Sequence, residues 1–84
     1  MVTVMAKKTA ETVGRRLRRL RLVAGMTQER LASDAGVPIG TLRGLEYDRR
    51  EPKLVLLTKV ANALGVSLDE LAGGVDLSPF SRER

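Results

Sequence analysis

The stretch TQERLASDAGVPIGTLRGLE, residues 27–46, decides how the chain folds. Leu31, Ala32 and Ala35 recur at helical spacing behind Thr27, an N-cap residue type. Gly36 ends that helix. A second begins near Pro38, a residue suited to a first helical turn, and buries Leu42 and Leu45. Only Gly36 and Val37 separate the two. So short a connection forces a sharp crossing, and glycine takes the positive φ that the turn requires. The second helix also carries an anomaly. Gly40 and Gly44 stand one turn apart, and glycine inside a helix costs about 1 kcal/mol against alanine.

On either side the pattern stays helical, and no strand is expected. A first helix runs from about Ala10 to Ala24, with Val13, Leu17, Leu20 and Ala24 on one stripe. Thr9 is its expected N-cap and Gly25 its stop. A fourth helix follows Pro52, with Leu54, Leu57, Val60, Ala61 and Leu64 inward and Gly65 at its end. The fifth is short: Ser67 and Glu70 form a capping box, with Val66 and Leu71 as the hydrophobic staple. The expected architecture is all-α, a compact five-helix domain over residues 9–74. Residues 1–8 read as a flexible basic N-terminal arm and residues 75–84 as a C-terminal tail.

Composition narrows the function. The chain has 84 residues, enough for one domain with a small core. It has no cysteine and no histidine, which excludes thiol chemistry, Cys/His zinc sites and histidine acid–base catalysis. Asp34, Asp48, Asp69 and Glu70 fall on caps or surfaces, and no phosphate-cradling glycine loop is present. No catalytic residue, metal or cofactor is therefore expected, and the chain does not read as an enzyme. Aromatics are 2%, too few for a base-stacking platform on single strands. The longest apolar runs, such as LVLL at 54–57, are far too short to span a bilayer, and no signal peptide is visible. A cytoplasmic protein with no membrane partner is expected. The net charge is +5, and residues 7–21 alone hold Lys7, Lys8, Arg15, Arg16, Arg18, Arg19 and Arg21 against Glu11. That block fits either a polyanion partner or a solvated helix face.

A helix, a glycine turn and a second helix describe a helix-turn-helix, whose second helix protrudes enough to enter a major groove. The pieces GMTQERLA, GV with a helix ending in LE, RREP and ALGVSLDEL resemble the phage-repressor (Cro/C1-type, XRE-type) helix-turn-helix family. The resemblance spans Gly14 to Leu71. It implies a five-helix repressor-like domain that binds double-stranded DNA, commonly as a dimer on a two-fold operator. It implies that Gln28 contacts a phosphate and braces the recognition helix, and that Arg49 and Arg50 contact the DNA backbone. It also implies that Arg21 and Glu46 form a structural ion pair tying the first helix to the end of the third. Departures from the pattern are Pro38 at a usual Ser cap, Asp48 at a usual Gly, Lys53 at a usual Ser cap, and Arg30 where Glu would complete a capping box with Thr27.

With Leu42 and Leu45 buried, the expected DNA-facing side of the third helix carries Ile39, Gly40, Arg43 and Gly44, with Thr41 at its flank. Arg43 can take guanine O6 and N7, and Ile39 a thymine methyl. Three explanations of the glycines stay open: close approach to DNA, reliance on phosphates and DNA shape, or packing against another protein. Leu22, Val23, Val55 and Leu56 are not needed by the core stripes and read as an interface or as scattered surface residues. A homodimer is expected. The leading function is sequence-specific DNA binding by a transcriptional regulator. The alternative is a protein-interaction module of the same fold, such as an antitoxin or adaptor with a protein partner.

Overall fold

Five helices account for the described residues 11–73 of the computed structural model: α1 Val13–Val23, α2 Gln28–Ala35, α3 Ile39–Glu46, α4 Leu54–Leu64 and α5 Leu68–Ala72. The 1–8 arm with Lys7 and Lys8, the expected cap Thr9 and the 75–84 tail lie outside the described residues.

Each start has a local cause. Thr12 caps α1, its Oγ1 accepting the N–H of Arg15 at 3.0 Å. The helix therefore begins at Val13, three residues later than the expected start at Ala10. Thr12 Oγ1 also donates to Asp48 Oδ2 at 2.9 Å, a partner 36 residues away that chooses this threonine as the cap. Thr27 and Ser67 cap α2 and α5 in the same way, through the N–H of Arg30 and of Glu70. Pro38 and Lys53 offer no side-chain cap to α3 and α4. Pro38 sits one residue before α3 in extended conformation, rather than in the first turn.

The turn between α2 and α3 works as its sequence indicates. Gly36 takes φ +72°, and Val37 turns inward, 7% exposed. Each helix then contributes one wholly buried leucine to a common core: Leu17, Leu31, Leu42, Leu57 and Leu71. Removing any one of them to alanine is worth about 2–5 kcal/mol. α1 packs on α3 and α5, and α4 packs on α2 and α5. The contact of α1 with α3 is close because Gly14 has no side chain. A Cβ there would collide with the Leu45 carbonyl oxygen and Asp48 Oδ1. Asp48 itself adopts the left-handed region, φ +57°, which aspartate tolerates better than most residues.

Two expectations for α4 change. Leu54 is exposed, not inward. A helical side chain leans over the turn before it, and Leu54 is the first residue of its helix. Leu56, expected to be outside the core, packs against it half-buried. No helix among the described residues is long and apolar enough to cross a membrane.

Candidate nucleic-acid interface

The α2–turn–α3 unit organises the site. Leu42, Leu45 and Glu46 are the buried positions of α3. Ile39 packs half-buried against the core, which corrects its placement on the outward face. Three residues from Leu42, it lies only about 60° around the helix from it. The outward face is Gly40, Arg43, Gly44 and Tyr47, with Thr41 half-buried at the flank. Tyr47 is 50% exposed, and the Arg49 guanidinium lies 5.7 Å from its ring centroid. Tyr47 is missing from the residues expected on this face, although its spacing of four from Arg43 and seven from Gly40 places it there.

The two glycines differ. Nothing lies within 4 Å of the position a Cβ would take on Gly40. On Gly44 that Cβ would stand 3.2 Å from Arg50 Cβ. The loop after α3 folds back over Gly44, whose carbonyl accepts the N–H groups of Arg49 at 2.8 Å and Arg50 at 3.1 Å. Gly44 is thus half-buried beneath Arg50 rather than fully open. Its missing side chain makes room for the loop that carries both arginines.

A polar chain links the core to this face. Arg21 donates Nε and Nη2 to the two Glu46 oxygens at 2.6 and 3.1 Å, and Nη1 to the Met26 carbonyl at 2.8 Å. The Glu46 side chain is fully buried. Gln28 Nε2 donates to Glu46 Oε1 at 3.0 Å, and Gln28 Oε1 accepts from Arg43 Nε at 3.3 Å. Since a carboxylate only accepts, Glu46 dictates which end of the Gln28 amide faces inward. Arg43 Nη2 lies 3.5 Å from Glu29 Oε2. The second Nε2 hydrogen of Gln28 and the first-turn N–H groups of α2 are the kind of donors that hold a phosphate.

The basic block of α1 is partly self-paired. Arg19 makes two hydrogen bonds to Glu11, at 2.8 and 2.9 Å, and Arg16 stands 3.7 Å from the same carboxylate. Those Arg19 hydrogen bonds hold the Glu11 carboxyl below its ordinary pKa, with the charges of Arg19, Arg16 and Arg15 adding. Arg15, Arg18 and Arg19 share the outer side of α1 with Leu22 and Val23, 54% and 77% exposed, around a shallow depression. Leu54 and Val55 form a separate exposed pair on α4. Among the described residues no group of three or more acidic side chains is placed to hold a metal ion.

Known proteins share this arrangement. The helix-turn-helix family profile matches residues 17–71. The chain is 41% identical over 68 residues to the uncharacterized HTH-type transcriptional regulator y4dJ of Sinorhizobium fredii, covering 81% of this chain and 88% of that one. It is 37% identical over 62 residues to the immunity repressor protein of Bacillus phage phi105, covering 74% of this chain and 43% of the repressor. Among solved structures, the restriction-modification controller protein C.AhdI from Aeromonas hydrophila superposes with a TM-score of 0.68 at 39% identity. The match covers 70% of this chain and 89% of C.AhdI. The SinR protein/SinI protein complex contains a chain that matches with a TM-score of 0.71 at 30% identity, covering 75% of this chain and 62% of that one. With the buried Arg21–Glu46 pair, the glycine turn and the five-helix core in place, the chain belongs to the repressor-type (Cro/C1, XRE) helix-turn-helix family.

Proposed function

We propose that this protein is a transcriptional regulator that binds double-stranded DNA sequence-specifically, with α3 in the major groove. The observation that carries this reading is the outward face of α3, where Arg43 is held by Gln28 beside an open Gly40. Arg43 takes guanine O6 and N7, and Thr41 a phosphate or base edge. Gln28 takes a phosphate at the start of α2, and Arg49 and Arg50 take the backbone beyond α3. Gly40 lets the α3 backbone come close to the bases, and Gly44 belongs to the same approach through the loop it admits. Ile39 keeps at most an edge for a thymine methyl. The chain acts as a homodimer on a two-fold site, through one of the apolar pairs Leu22–Val23 or Leu54–Val55, and works in the cytoplasm by binding rather than catalysis.

The test is selection from a random pool of 30-base-pair duplexes at physiological salt, followed by sequencing. A two-fold motif with half-site centres about 10 base pairs apart is expected. Unselective binding that vanishes as salt rises would overturn it.

A further inference from the structure

Arg43 is gripped along one edge only. On the guanidinium, Nε and Nη2 share an edge. Gln28 Oε1 takes Nε at 3.3 Å, and Glu29 Oε2 stands 3.5 Å from Nη2. Both partners come from the first turn of α2. The end-on edge, with one Nη1 hydrogen and the second Nη2 hydrogen, faces neither of them. That end-on edge presents two parallel donors, as a bidentate contact to guanine O6 and N7 requires. We propose that Glu29 is a positioning residue for DNA specificity: with Gln28 it clamps the Nε–Nη2 edge of Arg43 and presents the other edge to guanine. The inference rests on the reading of Arg43 as a base-contacting residue.

The grip has two consequences of opposite sign. A clamped Arg43 loses less rotamer freedom when it meets a correctly placed guanine, which strengthens operator binding. The Glu29 carboxylate, 71% exposed beside the DNA-facing arginine, repels phosphates on any duplex, operator or not. At the operator the gain from positioning outweighs that repulsion. On random DNA only the repulsion remains. The repulsion is common to both duplexes, so Glu29 widens the gap between operator and random DNA through the positioning of Arg43. The buried end of the chain supplies the rigidity. Gln28 cannot turn away from Arg43 without also leaving Glu46, whose own position is fixed by two hydrogen bonds from Arg21.

The experiment measures Kd of the full chain and of Glu29→Ala for two duplexes, the one most enriched by selection and a scrambled duplex of equal length. Wild-type, Arg43→Ala and the double variant are measured in parallel at two salt concentrations. In Glu29→Ala, operator Kd is expected to rise about three- to five-fold, the scale of an exposed charge pair. Scrambled-duplex Kd is expected to fall about two- to three-fold. The ratio then shrinks about ten-fold with an unchanged melting temperature. Glu29→Gln, which keeps an acceptor oxygen, recovers part of the operator affinity. Repeating the selection with Glu29→Ala relaxes the motif at one guanine in each half-site. In the double variant the ratio equals that of Arg43→Ala alone, because Glu29 affects selectivity only through Arg43 and its repulsion of phosphate is common to both duplexes. Equal shifts of both duplexes, or none, would overturn the role of Glu29 while a collapsed ratio in Arg43→Ala leaves the DNA reading standing. An unchanged ratio in Arg43→Ala would overturn both.

Discussion

Arg21 and Arg43 stand at opposite ends of one hydrogen-bond chain, and they use the same edge of the guanidinium there. Arg21 gives Nε and Nη2 to Glu46, and Arg43 turns Nε and Nη2 toward Gln28 and Glu29. They differ in surroundings. The Arg21 side chain is 9% exposed and its Nη1 is also taken, by the Met26 carbonyl. The Arg43 side chain is 50% exposed and its end-on edge faces neither residue that grips it. A third arginine, Arg19, chelates the half-buried Glu11 with its own side chain 49% exposed. The same fork thus makes an internal brace where the pair is buried, and at the surface a poised reader and a solvent pair.

The largest effect belongs to the brace. Glu46→Ala leaves Arg21 buried and unpaired, which costs about 3–5 kcal/mol. That is much of the stability of a domain this size, so urea unfolding and circular dichroism should show a marginal or unfolded chain. A loss under about 1 kcal/mol would erase the contrast with Arg43. The reader comes next. Arg43→Ala is expected to leave stability within about 0.5 kcal/mol while costing about 1–3 kcal/mol in discrimination between operator and scrambled duplex. A clear fall in melting temperature would make Arg43 a second brace instead.

The two glycines sharpen the same division between fold and face. Gly40→Ala adds its Cβ to open space and should stabilise by up to about 1 kcal/mol. Gly44→Ala must push Arg50 aside, so its gain should be smaller or absent. Equal gains would show that the loop does not rest on Gly44. The smallest effect concerns the solvent pair. Because its native pKa is lowered, Glu11 supports the fold above the ordinary carboxylate range. That support is lost as pH falls through its native value. Between pH 6 and pH 3, Glu11→Gln should lose slightly less of its melting temperature than the wild type, and identical losses would remove Glu11 from the account.

Much of this was legible in the residues because its causes are local. The leucine stripes, the Thr27 and Ser67 caps and the Gly36 turn act within a few positions, and the five helices follow from them. The start of α1 was not. Thr9 and Thr12 satisfy the same capping rule, and Asp48, far along the chain, favours Thr12. Ile39 was misplaced although its spacing from Leu42 carried the answer, because four outward positions were read from a helix only eight residues long. The cover of Arg50 on Gly44 and the meeting of Glu29 with Arg43 depend on how a loop and a neighbouring helix return to α3. No periodicity encodes either. Gly14 escaped for a similar reason: a glycine amid arginines shows no apolar signal, yet it sets the closest approach of α1 to α3.

The empty space above Gly40 has an evolutionary meaning. Most changes to a small protein must pass a stability threshold before selection can act on what they do. At residue 40 the threshold is nearly absent, since an added Cβ meets open space and alanine is the better helix former. A lineage, or a library randomised at 40, can therefore sample new duplex preferences from a folded starting point, with the Arg21–Glu46 brace untouched throughout.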